Sequence, residues 1–374
     1  MRIFHIITHL DLGGAERVAA NIAESDTPGM EYHIVEVVRG RSAYTRKFMS
    51  ELAHAGVLCH RSLMPDIRFH FVFERVAALL FPLRLMWLLM RWRPDVVHVH
   101  TEAPDLCLYF SSRVLRRLLR GVRIVRTIHN TRLWAGQDRV ARHVERYFVS
   151  CGANIAISQS VRDSYALRFG QVAPIIHNGV AAVSQRAYDG IVPGKTNILF
   201  AGRFEPQKGI PVLCEVVRAL ASDTRYHFTI AGGGSMEAMI QSQLGGLANV
   251  SIVPPIFGLS GCMSSFHYLF MPSEFEGLSM LSMEASMQGL PVIANRCPGL
   301  SDTLPSDWPL IVDGNSVASY LRLFRQVIPS ASHDALASRA RLFAGAHFSI
   351  RRMQERYEQV YISGRVSESA EPVD

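Results

Sequence analysis

The chain has 374 residues, of which 48% are hydrophobic and 19% charged, which excludes a disordered or low-complexity protein and favours two α/β-sized domains facing a cleft over one large core. Six cysteines (Cys59, Cys107, Cys151, Cys214, Cys262 and Cys297) stand far apart without a CxxC pair, which argues against a zinc site or disulfide framework and fits a reducing cytoplasm. The net charge of +7 belongs to the first half: residues 1–190 hold 25 Arg and Lys against 16 Asp and Glu, whereas residues 191–374 hold 14 against 16.

From the start, "MRIFHIITHLDLGG" has one early Arg, no long apolar run and no small-residue cleavage site, so it reads as a first strand rather than a leader. Gly13 and Gly14 sit between that strand and the helical "GAERVAANIAE", where lack of a Cβ allows close approach of a phosphate; a tight turn needing positive φ is equally compatible. "YHIVEVV" and "TRKFMSELAHAG" follow as strand and helix. The apolar segment "VAALLFPLRLMWLLMRWRP" (76–94) is interrupted by Pro82, Arg84 and Arg91, short of the roughly 20 apolar residues a spanning helix needs.

In "PDVVHVH", His98 and His100 alternate on one strand and share a face, but no third ligand at metal spacing is evident, so both read as packed or loop-facing. "RVLRRLLRG" predicts a helix with Arg113, Arg116, Arg117 and Arg120 on one face and Leu115, Leu118 and Leu119 on the other. That basic stripe, with the preceding apolar segment, can seat the first domain on an anionic bilayer surface; leucines in the core and arginines in water is the plainer alternative. "VRIVRTIHN", "NIAIS" and "APIIHNG" complete an alternation of strands and helices that predicts a parallel sheet.

The alternation breaks at 180–196, a stretch of small and polar residues with Gly190, Pro193 and Gly194, which reads as a linker. It restarts with "NILFAGRF", "VLCEVVRALA", "YHFTIAGGG", "VSIVPP", "YLFMPS", "SMLSMEASMQG", "PVIANR" and "PLIV", and closes with the helical "SIRRMQERYEQVYISG". The domain boundaries expected are therefore 1–185 and 190–350, with a helix at about 350–363 packing back on the first domain and a disordered tail over 364–374. "PGKT" is no P-loop, because Asp189 stands where a Gly is needed, and "AGGGS" is no dinucleotide fingerprint, because Glu237 stands at the third glycine position after Gly232 and Gly234.

Chemistry is expected on the loops that follow the strands. "AGRFEPQKGI" puts Arg203 and Lys208 on such a loop, where a diphosphate needs cations. In "MPSEFEGLSMLSMEASMQGLPVIAN", Pro272 and Gly277 shape a turn and Ser279 caps a helix, so Glu276 lies before the helix and Glu284 inside it. About 1.5 Å of rise per residue sets the carboxylates on the order of 12 Å apart, with helix-start amides between them for a phosphate. The same spacing also fits a turn carboxylate and a solvated helix residue.

These motifs, in the order "DLGGAERV", "PDVVHVH", "TIHN", "IIHNGV", "GRFEPQKG", "AGGGS" and "PSEFEGLSMLSMEASMQGLPVIAN", resemble the retaining glycosyltransferases of family 4 (glycosyl transferases group 1), over nearly the whole chain. The resemblance implies the GT-B fold, two Rossmann-like doubly wound parallel-sheet domains. It implies that Glu284 hydrogen-bonds the ribose, Glu276 the donor sugar, that Arg203 and Lys208 grip the diphosphate, and that His129 faces the sugar from the other domain. Gly13, Gly14 and Gly232 would lie near the nucleotide sugar, and amides from Leu278, Ser279 and Met280 would reach its sugar and phosphates. Where this family usually has Gly-Phe-Gly after the first Glu, the chain has Gly277, Leu278 and Ser279, which blurs the donor's identity. Neither a cofactor nor a divalent metal is implied, the nucleotide sugar being a substrate.

The expected function is transfer of a sugar from a nucleotide diphosphate, a UDP-sugar above all, to a hydroxyl of a glycan or lipid-linked glycan. The setting implied is bacterial surface polysaccharide assembly (lipopolysaccharide or capsule), in the cytoplasm or at the inner face of the cell membrane. A GT-B sugar-nucleotide epimerase and a non-catalytic partner subunit are the rivals; nucleic acid is not an expected partner, for no binding motif for it appears.

Overall fold

The computed structural model describes residues 1–366 except 12, 41 and 64–69. Its described residues divide into two compact units, Met1–Gly179 with those from Ile350 onward, and Val180–Ser349. Of the expected tail, 367–374 lies outside the described residues.

The first unit runs β1 (Arg2–Ile7), α1 (Gly14–Ala23), β2 (Glu31–Glu36), α2 (Ala43–His54), β3 (Leu58–His60), α3 (His70–Trp92), β4 (Val96–His100), α4 (Glu102–Val114), β5 (Arg123–Ile128), α5 (Asp138–Ser150), β6 (Asn154–Ala156) and α6 (Gln159–Phe169). Its strands pair in parallel in the order β3-β2-β1-β4-β5-β6. Helices cover both faces of such a sheet, so its strands are buried throughout, and β1 and β4 are accordingly near-continuous buried runs.

The second unit runs β7 (Thr196–Arg203), α7 (Ile210–Ala219), β8 (Tyr226–Gly233), α8 (Glu237–Leu244), β9 (Val250–Val253), β10 (Tyr268–Met271), α9 (Met280–Met287), β11 (Val292–Asn295), β12 (Ile311–Val312), α10 (Val317–Arg322), α11 (Ile328–Ser330) and α12 (His333–His347). Its sheet is also parallel, in the order β12-β11-β10-β7-β8-β9, around a core that includes Phe200, Phe228, Leu269, Phe270 and Phe324. The chain then returns as α13 (Ile350–Ser363), which belongs to the first unit and packs on α1.

Two local expectations differ from what the chain does. "APIIHNG" contributes a single bridge, Ala156 to Ile175, not a strand. α3 runs through Pro82, its inner face pinned by buried Phe81, Leu85, Leu88 and Leu89. The helix expected across "RVLRRLLRG" stops at Val114, because Leu115 is drawn into the core and the amides of Leu118 and Leu119 both turn back onto its carbonyl. Arg116, Arg117 and Arg120 thus lie in turns that redirect the chain into β5, not on a helical face with Arg113.

Behind β5 the buried Arg126 guanidinium donates to Asp105 at 2.8 Å and to Glu145 at 2.7 and 2.8 Å, while Trp134 and Tyr165 also donate to Glu145. Removing the cation strands two buried carboxylates, so Arg126→Met should lower the unfolding free energy by about 3 kcal/mol or more in urea titration. A loss below about 1 kcal/mol, within the range of an exposed pair, would contradict that role.

Candidate functional site

In the second unit β7 and β10 are neighbours, so the loops at their carboxyl ends meet. The loop after β7 carries Arg203, exposed at the strand end, and Lys208, in a short 3-10 turn Pro206–Lys208. The loop after β10 carries Glu276, which is 7% exposed. The two loops are zipped together: the Glu274 amide donates to the Gln207 carbonyl at 2.8 Å and the Gln207 side chain to the Phe275 carbonyl at 2.9 Å. The Lys208 ammonium then donates to Glu276 Oε1 at 2.6 Å.

Two glycines make this approach possible. Gly209 has φ +68°, and a Cβ there would stand 1.8 Å from the Pro272 carbonyl oxygen; Gly299 has φ +75°, and a Cβ would stand 2.3 Å from that of Glu276. The segment Pro298–Gly299 in turn fixes the catalytic-side turn, accepting from the Glu276 amide at 2.8 Å and the Ser279 amide at 3.0 Å. The Ser279 amide is therefore engaged by the protein. The amides of Leu278, Met280 and Leu281 have no protein acceptor among the described residues, which leaves the start of α9 suited to an anion.

Ser279 caps α9 as expected, its hydroxyl accepting from the Ser282 amide at 3.3 Å. Glu284 follows on α9, half-buried, and receives the Ser260 hydroxyl on Oε2 at 2.6 Å. Ser260 comes from a 3-10 turn, Leu259–Ser265, that nothing in its sequence pattern marks as functional. Gly232 ends up serving packing: it pairs with Gly202, and a Cβ would lie 2.0 Å from that residue's carbonyl oxygen and 2.6 Å from the Phe204 ring. Beside Arg203, the Ser235 amide and hydroxyl donate to Glu205 and hold its carboxyl below the usual range.

The remaining expected residues lie in the first unit. Gly13 precedes α1 with φ −163°, and Gly14 also lacks a positive φ, so neither serves the tight-turn alternative. A Cβ on Gly13 would fall 2.1 Å from Glu16 Oε2, whereas one on Gly14 meets nothing within 4 Å. The pair is thus explained at Gly13 by the Glu16 carboxylate folding over it.

His129 follows β5, buried, at the end of a continuous polar chain. Tyr357 OH lies 2.8 Å from Thr127, Thr127 2.7 Å from His98 Nε2, and His98 Nδ1 2.8 Å from Tyr361 OH. Tyr361 OH lies 3.5 Å from His5 Nε2, His5 Nδ1 3.0 Å from His100 Nε2, and His100 Nδ1 3.1 Å from His129 Nε2. Burial lowers the pKa of His5 and His129 to about 3 and that of His98 and His100 well below its ordinary value, so all four are neutral near pH 7.

His5 supplies the third imidazole that the sequence did not reveal, and its ligand atoms and those of His98 and His100 lie within 4.8 Å of one another. The nitrogens are already engaged, however: His5 Nδ1 faces His100 Nε2, and both nitrogens of His98 are taken by Tyr361 and Thr127. A metal lies in the plane of each imidazole it binds, so its ligand lone pairs must converge on one point, whereas these nitrogens point at one another and at hydroxyls. The arrangement suits a hydrogen-bond chain that orients His129.

The family described as Glycosyltransferase Family 4 matches residues 12–182, and that described as Glycosyl transferases group 1 matches residues 195–328. Among curated proteins, a D-inositol 3-phosphate glycosyltransferase of Arthrobacter sp. (strain FB24) is 32% identical over 146 residues, 36% of this chain and 35% of that protein. An uncharacterized glycosyltransferase of Methanocaldococcus jannaschii is 25% identical over 238 residues, 56% of this chain and 60% of its own. The matches thus span less than two thirds of these relatives. Among solved structures, Anabaena Alr3699/HepE in complex with UDP and glucose superposes with a TM-score of 0.78 at 15% identity, covering 97% of this chain and 100% of that one. The lipopolysaccharide outer core galactosyltransferase WaaB, in its apo form, superposes with a TM-score of 0.66 at 18% identity, covering 98% and 100%.

Proposed function

We propose, from the premise that this chain belongs to the family 4, group 1 glycosyltransferases and is an enzyme of the GT-B fold, that it moves a sugar from a UDP-sugar to a hydroxyl of a glycan or lipid-linked glycan. The observation that carries the reading is the grouping, within one unit, of the Lys208–Glu276 pair, the open amides at the start of α9 and the Glu284–Ser260 pair. These match, in order, the hydroxyls of a sugar, a diphosphate and a ribose. The UDP bound to HepE supports uracil as the base. The lipopolysaccharide substrate in the name of WaaB, and a Klebsiella pneumoniae relative named for its cps region that is 24% identical over 234 residues, support bacterial surface polysaccharide assembly. In this reading residues 190–350 bind the donor, residues 1–185 serve the acceptor, and the protein works at the inner face of the cell membrane.

Chemically, the acceptor oxygen attacks C1 on the face the diphosphate leaves, so the anomeric configuration is retained. The C1–O bond breaks toward the β-phosphate oxygen, which takes the acceptor's proton. Arg203, Lys208 and the α9 amides stabilise the charge that gathers on the diphosphate, and neutral His129 hydrogen-bonds a sugar hydroxyl. A charge-assisted contact is worth about 1.5 to 3 kcal/mol, so Arg203→Ala should lose on the order of 10 to 100-fold in kcat/KM for the donor. Product analysis gives the test of reaction class: transfer requires acceptor, whereas a donor sugar altered without acceptor would indicate an epimerase.

A further inference from the structure

The inference rests on the reading that the acceptor is carried at a membrane, and it names the surface. We propose that the outer face of α3, with the exposed arginines at its carboxyl end and after α4, docks the first unit on an anionic lipid bilayer.

Val76, Leu79, Leu80, Leu83, Trp87 and Met90 are all exposed, Leu79 by 69%, Leu83 by 65% and Trp87 by 58%. At about 100° per residue they fall within an arc of roughly 100°, and from first to last they span on the order of 21 Å. The opposite arc holds the buried Ala78, Phe81, Leu85, Leu88 and Leu89. Arg84, the one charged side chain between Val76 and Met90, turns inward to donate to the carbonyls of Glu36 and His60. The result is an uninterrupted apolar ridge on the surface, of the kind that marks an interaction site.

Charge selects the partner. Arg91, Arg93, Arg113, Arg116, Arg117 and Arg120 are exposed, and none pairs with a carboxylate among the described residues. They collect at one end of the sheet, because α3 packs against α4 and both helices lead into the amino ends of β4 and β5, which pair at Val96 and Arg123. Val114, 73% exposed, and Leu118 extend the apolar surface among these arginines. A second copy related by two-fold symmetry would bring two such clusters together, and a nucleic acid would leave the leucines in water. An anionic bilayer satisfies both halves: leucines enter the acyl boundary, Trp87 sits at headgroup level and arginines meet lipid phosphates. No helix among the described residues is long and apolar enough to cross a membrane, so α3 lies along its surface.

The test is co-sedimentation of the full chain with vesicles of phosphatidylcholine, alone or mixed with phosphatidylglycerol. It is run on the natural protein and on two double variants, Leu83→Glu with Trp87→Glu and Arg116→Glu with Arg117→Glu. Circular dichroism and the urea-unfolding midpoint check that the first unit of each variant folds, and calorimetric UDP binding that the donor site, to which none of these residues belongs, is intact. The expected result is binding to the mixed vesicles that each double variant weakens about 10-fold or more, with UDP affinity unchanged. Undiminished binding by the variants would overturn this face while leaving the membrane reading standing. No binding by the natural protein would overturn both and leave sugar transfer untouched. A dimer abolished by Leu83→Glu with Trp87→Glu, without vesicle binding, would give the face to a second copy.

Discussion

Glu276→Gln is expected to lower kcat/KM for the nucleotide sugar by about 100 to 1000-fold. The carboxylate is 7% exposed and accepts the Lys208 ammonium at 2.6 Å, so the amide would remove the charge-assisted contact to Lys208 and, at once, the one proposed to the sugar. At about 1.5 to 3 kcal/mol each, not fully additive, such contacts give a loss of 3 to 4 kcal/mol. Lys208→Ala should fall within about 10-fold of the same loss, and the double variant should be little worse than either single, because the partners act as a unit. Losses that simply multiply would show that Lys208 and Glu276 serve the donor independently. A Glu276→Gln enzyme within 5-fold of the natural one would remove Glu276 from the site.

Acidification from pH 7 to 5.5 should destabilise the first unit by roughly 4 to 5 kcal/mol. His5, His98, His100 and His129 are buried and neutral, with folded pKa values depressed by burial, to about 3 for His5 and His129. In the unfolded chain each imidazole takes a proton near pH 6.5, whereas in the folded chain it does not. Their stabilisation is therefore complete above about pH 6.5 and is lost progressively as pH falls toward 3. Each contributes up to about 1.4 kcal/mol per pH unit in that window. Differential scanning calorimetry should show Tm falling by about 10 °C or more over this range, and His5→Gln should reduce the slope. A Tm that is flat between pH 7 and 5.5 would mean that the folded protein accepts protons at these sites.

The alternation of apolar runs with amphipathic ones made the two parallel sheets legible, since a strand buried on both faces must be apolar along its length. The turn at Glu276 was equally legible: Pro272, Gly277 and Ser279 are local instructions, and α9 starts one residue after Ser279, its cap. What escaped depends on distant contacts. Ser260 meets Glu284 from another turn, and Gly299 holds the Glu276 turn from the loop after β11. His5 reaches His100 from 95 positions away. The helix through Arg116 to Arg120 failed to form although its periodicity was good, because Leu115 has a place in the core that continuing the helix would deny it.

Calorimetric titration with UDP, GDP and ADP, on the natural protein and on Glu284→Ala, tests most directly that the second unit is a nucleotide-sugar site. Selective binding of UDP is expected, weakened about 10 to 100-fold by Glu284→Ala through loss of the proposed charged hydrogen bond to the ribose. Absence of binding to all three nucleotides, or UDP binding that Glu284→Ala leaves unchanged, would contradict it.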